Sequence, residues 1–293
     1  MKPILLLGAG GQVGQAIARQ QAGFGLEIAA LGHQACDIAK PDDIAAAFER
    51  IQPSVVINAA AMTAVDLAET QQDLALSINR DGAANLAEAC LRQSAALIHL
   101  STDYVFSDAP GRPLMESDPI LPLNFYGVSK AAGEDAIRGI LPQHVILRTS
   151  WIYGPNGNNF FQTMMRLAET RPSLNVVADE RSCPTYADDL AGAICQITKK
   201  ILAAEAHWGI YHACGQDGVS RLEFAQIIMS ARQACGLSSA EIFATTQAAF
   251  NAPAMRPKDS RMDCNALKTK YGIVLPGLRE RLPPLVQQVR AAP

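Results

Sequence analysis

The chain has 293 residues, 49% apolar and 18% charged, enough to bury a large interior as one domain or as two that share a core. A net charge of −3, from 25 basic and 28 acidic residues with no basic run, argues against a nucleic-acid partner. No stretch approaches the roughly 18 consecutive apolar residues of a membrane span, and the opening apolar run ending at Leu7 is too short for a signal-peptide core, so a cytoplasmic protein is expected.

From the N-terminus, short apolar runs alternate with alanine-rich, helix-like stretches. Strands are predicted over residues 4–7, 27–31, 54–58, 95–100 and 144–149, and helices over 12–21, 41–51, 74–93 and 126–140. That alternation implies βαβ units: an α/β fold, a Rossmann-type doubly wound parallel sheet over residues 1–150, with ligands gathering at the carboxyl ends of the strands. After residue 150 the pattern loosens. Gly154-Pro155-Asn156-Gly157 reads as a loop, and Pro253, Pro257, Pro276, Pro283 and Pro284 punctuate the last third. Residues 151–293 are expected to form mainly a smaller C-terminal substrate-binding domain, interleaved with segments that return to the sheet. The seven cysteines are scattered and lack a C-x-x-C pair, so neither a disulfide framework nor a zinc site follows from them.

The motifs fall at strand ends. Gly8, Gly10, Gly11, Gln12, Val13 and Gly14 lie between the first strand and the first helix, where small residues let the backbone approach a pyrophosphate and the helix N-terminus favours its charge. The second strand ends at Gly32-His33-Gln34 without a carboxylate to repel a 2′-phosphate, which favours NADPH and leaves NADH open. Asp37 and Ile38 follow; Asp37 either flanks the adenine or caps the helix from Pro41. Ala59, Ala60 and Ala61 put small side chains where a strand meets the cofactor. Ser101-Thr102-Asp103 closes the strand that precedes Tyr126, so the Thr102 hydroxyl and the phenol can reach one substrate oxygen. Asp103 can cap, contact substrate or tune the site. Tyr126 and Lys130 are four residues apart on a helix, on one face, where the ammonium is expected to lower the phenol pKa and make it a proton shuttle.

Further strings carry a resemblance to a known family. They are Asn58-Ala-Ala-Ala61, Thr63-Ala-Val-Asp66, Ser101-Thr-Asp-Tyr-Val-Phe106, Tyr126-Gly-Val-Ser-Lys130, Arg148-Thr-Ser-Trp-Ile-Tyr-Gly154, Asn158-Asn-Phe160, Pro184-Thr185 and Arg256-Pro257 followed by Ser260. Their order and spacing, over nearly the whole chain, resemble the dTDP-4-dehydrorhamnose reductase family of the extended short-chain dehydrogenase/reductases. The resemblance implies NAD(P)H-dependent reduction of the 4-keto group of a small-molecule nucleotide sugar, dTDP-4-dehydro-L-rhamnose, by a monomer or homodimer. It implies that Tyr126 donates the proton, Lys130 holds the nicotinamide ribose and Thr102 binds the reacting oxygen. Thr102, Asp103, Trp151 and Asn159 are then substrate contacts.

Independently of the resemblance, the Trp151 ring suits the apolar face of a sugar, although a core tryptophan fits the same position. Arg256 is a candidate for the diphosphate, with a surface arginine as its alternative. Some family members hold Mg²⁺ through glutamates, one of them just after the glycine loop. Here that stretch reads Gly14-Gln15-Ala16-Ile17, and the C-terminal helix, expected over 285–289, has no carboxylate either, so no metal site is expected. The family's glycine before Pro-Thr is replaced by Cys183, which puts that loop's shape in doubt.

Two rivals share the fold. A 4,6-dehydratase would carry an Asp-Glu pair after the strand-end threonine, whereas Asp103 is followed by Tyr104. The regulatory subunit of methionine adenosyltransferase resembles these reductases without sharing their reaction.

Overall fold

The computed structural model describes residues 3–291. Its first half runs β1 (Ile4–Leu7), α1 (Gln12–Gln20), β2 (Ile28–Leu31), α2 (Pro41–Ile51), β3 (Val55–Asn58), α3 (Val65–Thr70), α4 (Gln72–Leu76), α5 (Gly82–Gln93), β4 (Ala96–Thr102), α6 (Phe125–Ile140) and β5 (His144–Thr149). The second half adds β6 (Ile152–Tyr153), α7 (Phe160–Thr170), β7 (Ser173–Val177), β8 (Arg181–Ser182), β9 (Thr185–Tyr186), α8 (Ala187–Leu202), β10 (Gly209–His212), β11 (Val219–Ser220), α9 (Arg221–Ala234), β12 (Glu241–Thr245), α10 (Gln247–Phe250), α11 (Asn265–Tyr271) and α12 (Leu278–Ala291).

Six strands form one parallel sheet in the order β10-β5-β4-β3-β1-β2. Side chains alternate across a strand. In β1, Ile4 and Leu6 pack with α1, α8 and α11, whereas Leu5 and Leu7 pack with α2, α5 and α6. Burial on both faces is why these strands read as unbroken apolar runs. A second core joins α7, β7, α9 and α12 through Phe161, Met164, Phe224, Ile228, Leu282 and Val286. The cleft between this core and the carboxyl ends of the sheet is where the motifs meet.

Two elements differ from expectation. The helix expected over 74–93 contains a widened turn at Ser77–Asp81, which directs Asn79 inward to accept from Met62 N at 2.9 Å and donate to Ser129 Oγ at 2.9 Å. Such single wide turns commonly serve a site. The C-terminal helix is the other. It starts at Leu278 rather than 285, takes in Pro283 and Pro284, and carries Glu280 in its first turn, so that helix does hold a carboxylate. Interior prolines cost a helix about 3 kcal/mol each. Leu278, Leu282, Leu285 and Val286, spaced along one face and buried, offset that cost.

Helix α6 carries Tyr126 and Lys130, and a buried ion pair fixes it to the sheet. Glu134 accepts from Arg148 Nε at 3.0 Å and Nη2 at 2.6 Å, and its Oε1 also accepts from Ser101 Oγ. Both charged side chains are nearly inaccessible to solvent. Breaking one half leaves the other charge stranded, so Glu134→Ala should cost about 3–5 kcal/mol. The double replacement Glu134→Leu with Arg148→Met should cost clearly less. Urea unfolding of the three proteins checks this ordering.

Candidate active site

The glycine loop is shaped by close approaches that exclude side chains. Gly8 has φ +79°, and a Cβ on it would meet Ala60 N at 2.5 Å; one on Gly14 would meet Gly8 O at 2.2 Å. Gly10 and Gly11 are exposed, and Gly11 opens α1 without a side-chain cap. The first-turn N–H groups of α1 therefore lack an internal acceptor and point at the loop, an arrangement that accepts phosphate oxygens. Ala59, Ala60 and Ala61 line the neighbouring strand end, half-buried. These residues fit a dinucleotide.

Val13 is buried in the sheet core, and the Gln12 side chain accepts from Asn159 Nδ2 at 2.8 Å. Asn159 also caps α7, accepting from Gln162 N at 3.0 Å, and its amide N–H groups are spent on Gln12 and on the carbonyls of Gly154 and Asn156. Its geometry is that of a brace between α7 and the glycine loop, which departs from its expected part as a free sugar ligand.

At the adenine end, His33 is exposed and its Nδ1 lies 3.9 Å from Asp37 Oδ1. Asp37 accepts from Ala39 N at 3.1 Å, closing a local turn, and does not cap α2, whose N-cap is Lys40. Ile38 is buried against Gly82.

The proton machinery lies at the end of β4. Thr102 is the last residue of that strand and sits opposite Thr149 of β5. Its hydroxyl donates to Asp103 Oδ1 and accepts from Tyr104 N, each at 3.1 Å, and it lies near enough to the Tyr126 phenol to influence its ionisation. Tyr126 is buried, its ring edge-on to Tyr104 with centroids 6.0 Å apart. Asn124 and Glu69 set the start of α6 by accepting from Gly127 N and Phe125 N, each at 2.8 Å.

Burial pushes the Tyr126 phenol above its ordinary pKa, and the Thr102 contact pulls the other way. The hydrogen bonds of Lys130, which was expected to lower this pKa, go elsewhere. The Lys130 ammonium donates instead to Leu100 O at 2.8 Å and lies 3.1 Å from His99 Nε2. Sharing a helix face did not bring the two polar ends together, because the lysine reaches down the helix to the strand beneath. Burial brings Lys130 down to about 8 and keeps His99 neutral, well below its usual range. His99 is in turn held by Asn58 Nδ2 at 3.0 Å.

Asp103 is completely buried. Its Oδ2 accepts from Ser260 Oγ at 2.6 Å and Ser182 Oγ at 3.0 Å, so three chain segments meet on one carboxylate. Burial raises it to about 6 against the pull of these hydroxyls.

A cleft of about 590 Å³ is lined by Phe160, Arg171, Glu180, Arg221, Phe250 and Arg256 among others. Arg256 donates to Asp66 Oδ2 and Ala254 O, each at 2.9 Å. Trp151 is half-buried with φ +40°, a left-handed conformation that costs a bulky residue of order 1–3 kcal/mol and persists where its surroundings impose it.

His99, Ser182, Glu180 and Arg221 were missed by sequence reasoning. Only Arg221 had a local signal, the capping pattern Ser220-Arg-Leu-Glu223, which the structure forms in full.

The arrangement is built to deliver a proton beside a dinucleotide, which defines the class as NAD(P)-dependent oxidoreductases on a Rossmann-type fold. The sequence profile of the RmlD substrate binding domain matches residues 1–291, and the chain belongs to that family. It is 40% identical to a dTDP-4-dehydrorhamnose reductase of Aggregatibacter actinomycetemcomitans over 93% of this chain and 94% of the relative. It is 38% identical to the enzyme of the same name from Sinorhizobium fredii, over 94% of each. The dTDP-4-dehydrorhamnose reductase of Bacillus anthracis in complex with NADP superposes with a TM-score of 0.91 at 34% identity, covering 98% of this chain and all of that one.

Because Asp103 holds its proton more tightly folded than unfolded, it favours the native state at low pH, and that contribution is lost as pH rises through about 6. Asp103→Asn removes the titration. Stability of the variant relative to the parent should therefore rise between pH 4 and pH 7, by up to about 3 kcal/mol. Thermal unfolding of both proteins across that range checks the sign.

Proposed function

We propose that this protein reduces the 4-keto group of dTDP-4-dehydro-L-rhamnose with NADPH, yielding dTDP-L-rhamnose. Its family membership over residues 1–291 carries this reading, together with the meeting of Thr102 and Tyr126 at the carboxyl end of β4. NADPH, when bound, supplies the hydride that reduces the carbonyl carbon.

The remaining chemistry belongs to this chain. The uncapped start of α1 receives the pyrophosphate, and His33, Asp37 and Ile38 border the adenine end. Lys130 holds the nicotinamide ribose, its position fixed by Leu100 O and His99. A phenol held protonated by burial is a poor base and a ready donor once negative charge grows on the sugar oxygen. Thr102 adds a second hydrogen bond to that oxygen by turning its one hydroxyl proton from Asp103 Oδ1 to the sugar, which lowers the barrier most where water is excluded. Trp151 faces the apolar side of the sugar ring, Asp103 holds Thr102 and the loop of Ser260, and Arg256 receives the diphosphate in place of Asp66. Residues 151–293 supply Trp151 and Arg256 to the substrate, while Thr102 and Tyr126 come from residues 1–150. No helix of the described residues is long and apolar enough to cross a membrane; we place the enzyme in the cytoplasm, with the nucleotide-sugar and NADPH pools.

The dehydratase alternative requires an acid after Asp103. That position holds Tyr104, buried and packed on Tyr126, with its own phenol pushed up to about 12. A buried phenol there is not the carboxylic acid that alternative needs.

Tyr126→Phe should reduce turnover about a hundredfold or more while leaving NADPH affinity unchanged. Stopped-flow NADPH oxidation with enzymatically generated keto-sugar, alongside a cofactor titration, measures both. Activity near that of the parent would remove Tyr126 from its role.

A further inference from the structure

Trp151 combines a left-handed backbone, φ +40°, with a half-buried side chain against Arg221, a residue of the cleft wall. A tryptophan in that conformation needs an external restraint, and one is in place. The Arg221 guanidinium carbon lies 3.6 Å from the Trp151 ring centroid and 5.1 Å from that of Phe160, so the cation sits against both aromatics. An arginine is suited to this because its plane stacks on an indole while its edge stays available for hydrogen bonds.

The fold sets Arg221 there through short, independent links. β8 and β11 pair antiparallel with Ser220 opposite Arg181, which puts Glu180 and Arg221 next to each other beyond the ladder. Arg221 N donates to Glu180 O at 3.1 Å, and its Nε lies 3.8 Å from Glu180 Oε2. Glu180 is buried and held from the other side by Gln247 Nε2 at 3.0 Å. The capping box of Ser220 and Glu223 fixes the first turn of α9, in which Arg221 is the first residue.

We propose that Arg221, seated on Glu180, is the positioning residue that holds Trp151 flat against the sugar-binding end of the cleft and so sets affinity for the keto-sugar. The proposal deepens the reductase reading and rests on its assignment of Trp151 to the sugar. Arg221 acts through the indole. Its stacking face is covered by Trp151 and its Nε is turned to Glu180, whereas Arg256 supplies the guanidinium to the diphosphate.

The chain has two tryptophans, so Trp208→Phe leaves Trp151 as the sole emitter. In that background Arg221→Met removes charge and plane, and Arg221→Lys keeps the charge without the plane. Acrylamide quenching of Trp151, measured without any ligand, should increase about twofold or more in both variants, since stacking contacts of this kind are worth about one factor of ten. The KM for the keto-sugar should rise about tenfold in both, with kcat and NADPH affinity close to those of the Trp208→Phe parent; the melting temperature should stay near the parent's in Arg221→Lys and fall in Arg221→Met, which leaves the buried Glu180 unpaired. Unchanged quenching in both variants would overturn the proposal. It would also fall if Arg221→Lys restored the parental KM while Arg221→Met lost affinity for dTDP alone, since Arg221 would then act as a charge on the diphosphate. A fall in melting temperature in Arg221→Lys with loss of NADPH binding would equally overturn it, marking a general structural role. Failure of the Trp208→Phe parent to bind or reduce the keto-sugar would count against the reductase reading, and the ligand-free quenching comparison would still decide the part played by Arg221.

Discussion

The placement of α6 governs everything else at this site. A phenol can protonate a sugar oxygen only if its helix stands at a fixed height beside the end of β4. The Arg148–Glu134 pair sets that height from inside the protein, joined by Ser101 one residue before Thr102. A buried pair of this kind contributes little net stability, because desolvating two charges offsets most of their attraction. It contributes specificity of register, since sliding α6 by one turn would strand both charges. Gly127 and Gly133 let the helix lie this close. A Cβ on either would meet a carbonyl oxygen, Tyr104 O at 2.1 Å or Asn79 O at 2.2 Å.

The same economy places the acid–base groups. Tyr126, Lys130, His99 and Asp103 are all buried, and burial dominates the shift of each one. It holds the phenol and the imidazole neutral and brings the lysine and the aspartate within reach of neutral pH, from opposite directions. Desolvation, the term that destabilises a charged core, is here the term that sets the proton inventory of the site.

Much of this was legible in the chain because it depends on local rules. Unbroken apolar runs marked the strands, since a parallel sheet is covered on both faces, and Gly8 and Gly14 announced the loop because no side chain fits there. Thr102, Tyr126 and Lys130 were singled out from their spacing together with the glycine loop and the strand end before them, and Thr102 closes β4 while Tyr126 lies in the first turn of α6 beside it. Orientation was not legible. Spacing placed Lys130 on the face of Tyr126 but could not show that its ammonium turns to Leu100 and His99. Asn159 looked like a free polar residue because its partner Gln12 lies 147 positions away. Pro283 and Pro284 read as punctuation because their cost is local, whereas the leucine packing that offsets it comes from other elements. Ser182, Glu180 and Arg221 acquire meaning only when two-residue ladders bring distant loops together.

Charge along the cleft alternates before any substrate arrives. Asp103, Arg221, Glu180, Arg256 and Asp66 follow one another, each influenced by its neighbours. Such a row is not a positive funnel. In the proposed complex a diphosphate at Arg256 would replace Asp66, exchanging one anionic partner for another, so the electrostatic gain is a difference between two similar terms. The exchange secures orientation more than affinity. Asp66 lies in the first turn of α3, which follows Met62, and Asn79 ties Met62 to α6. Net affinity must then come from apolar contact, which Phe160 and Phe250 offer in the cleft and Trp151 beside Arg221. A tryptophan held in an unfavourable backbone conformation is a reasonable cost in that design. Its ring is already positioned when the sugar arrives, and no binding energy is spent on ordering it.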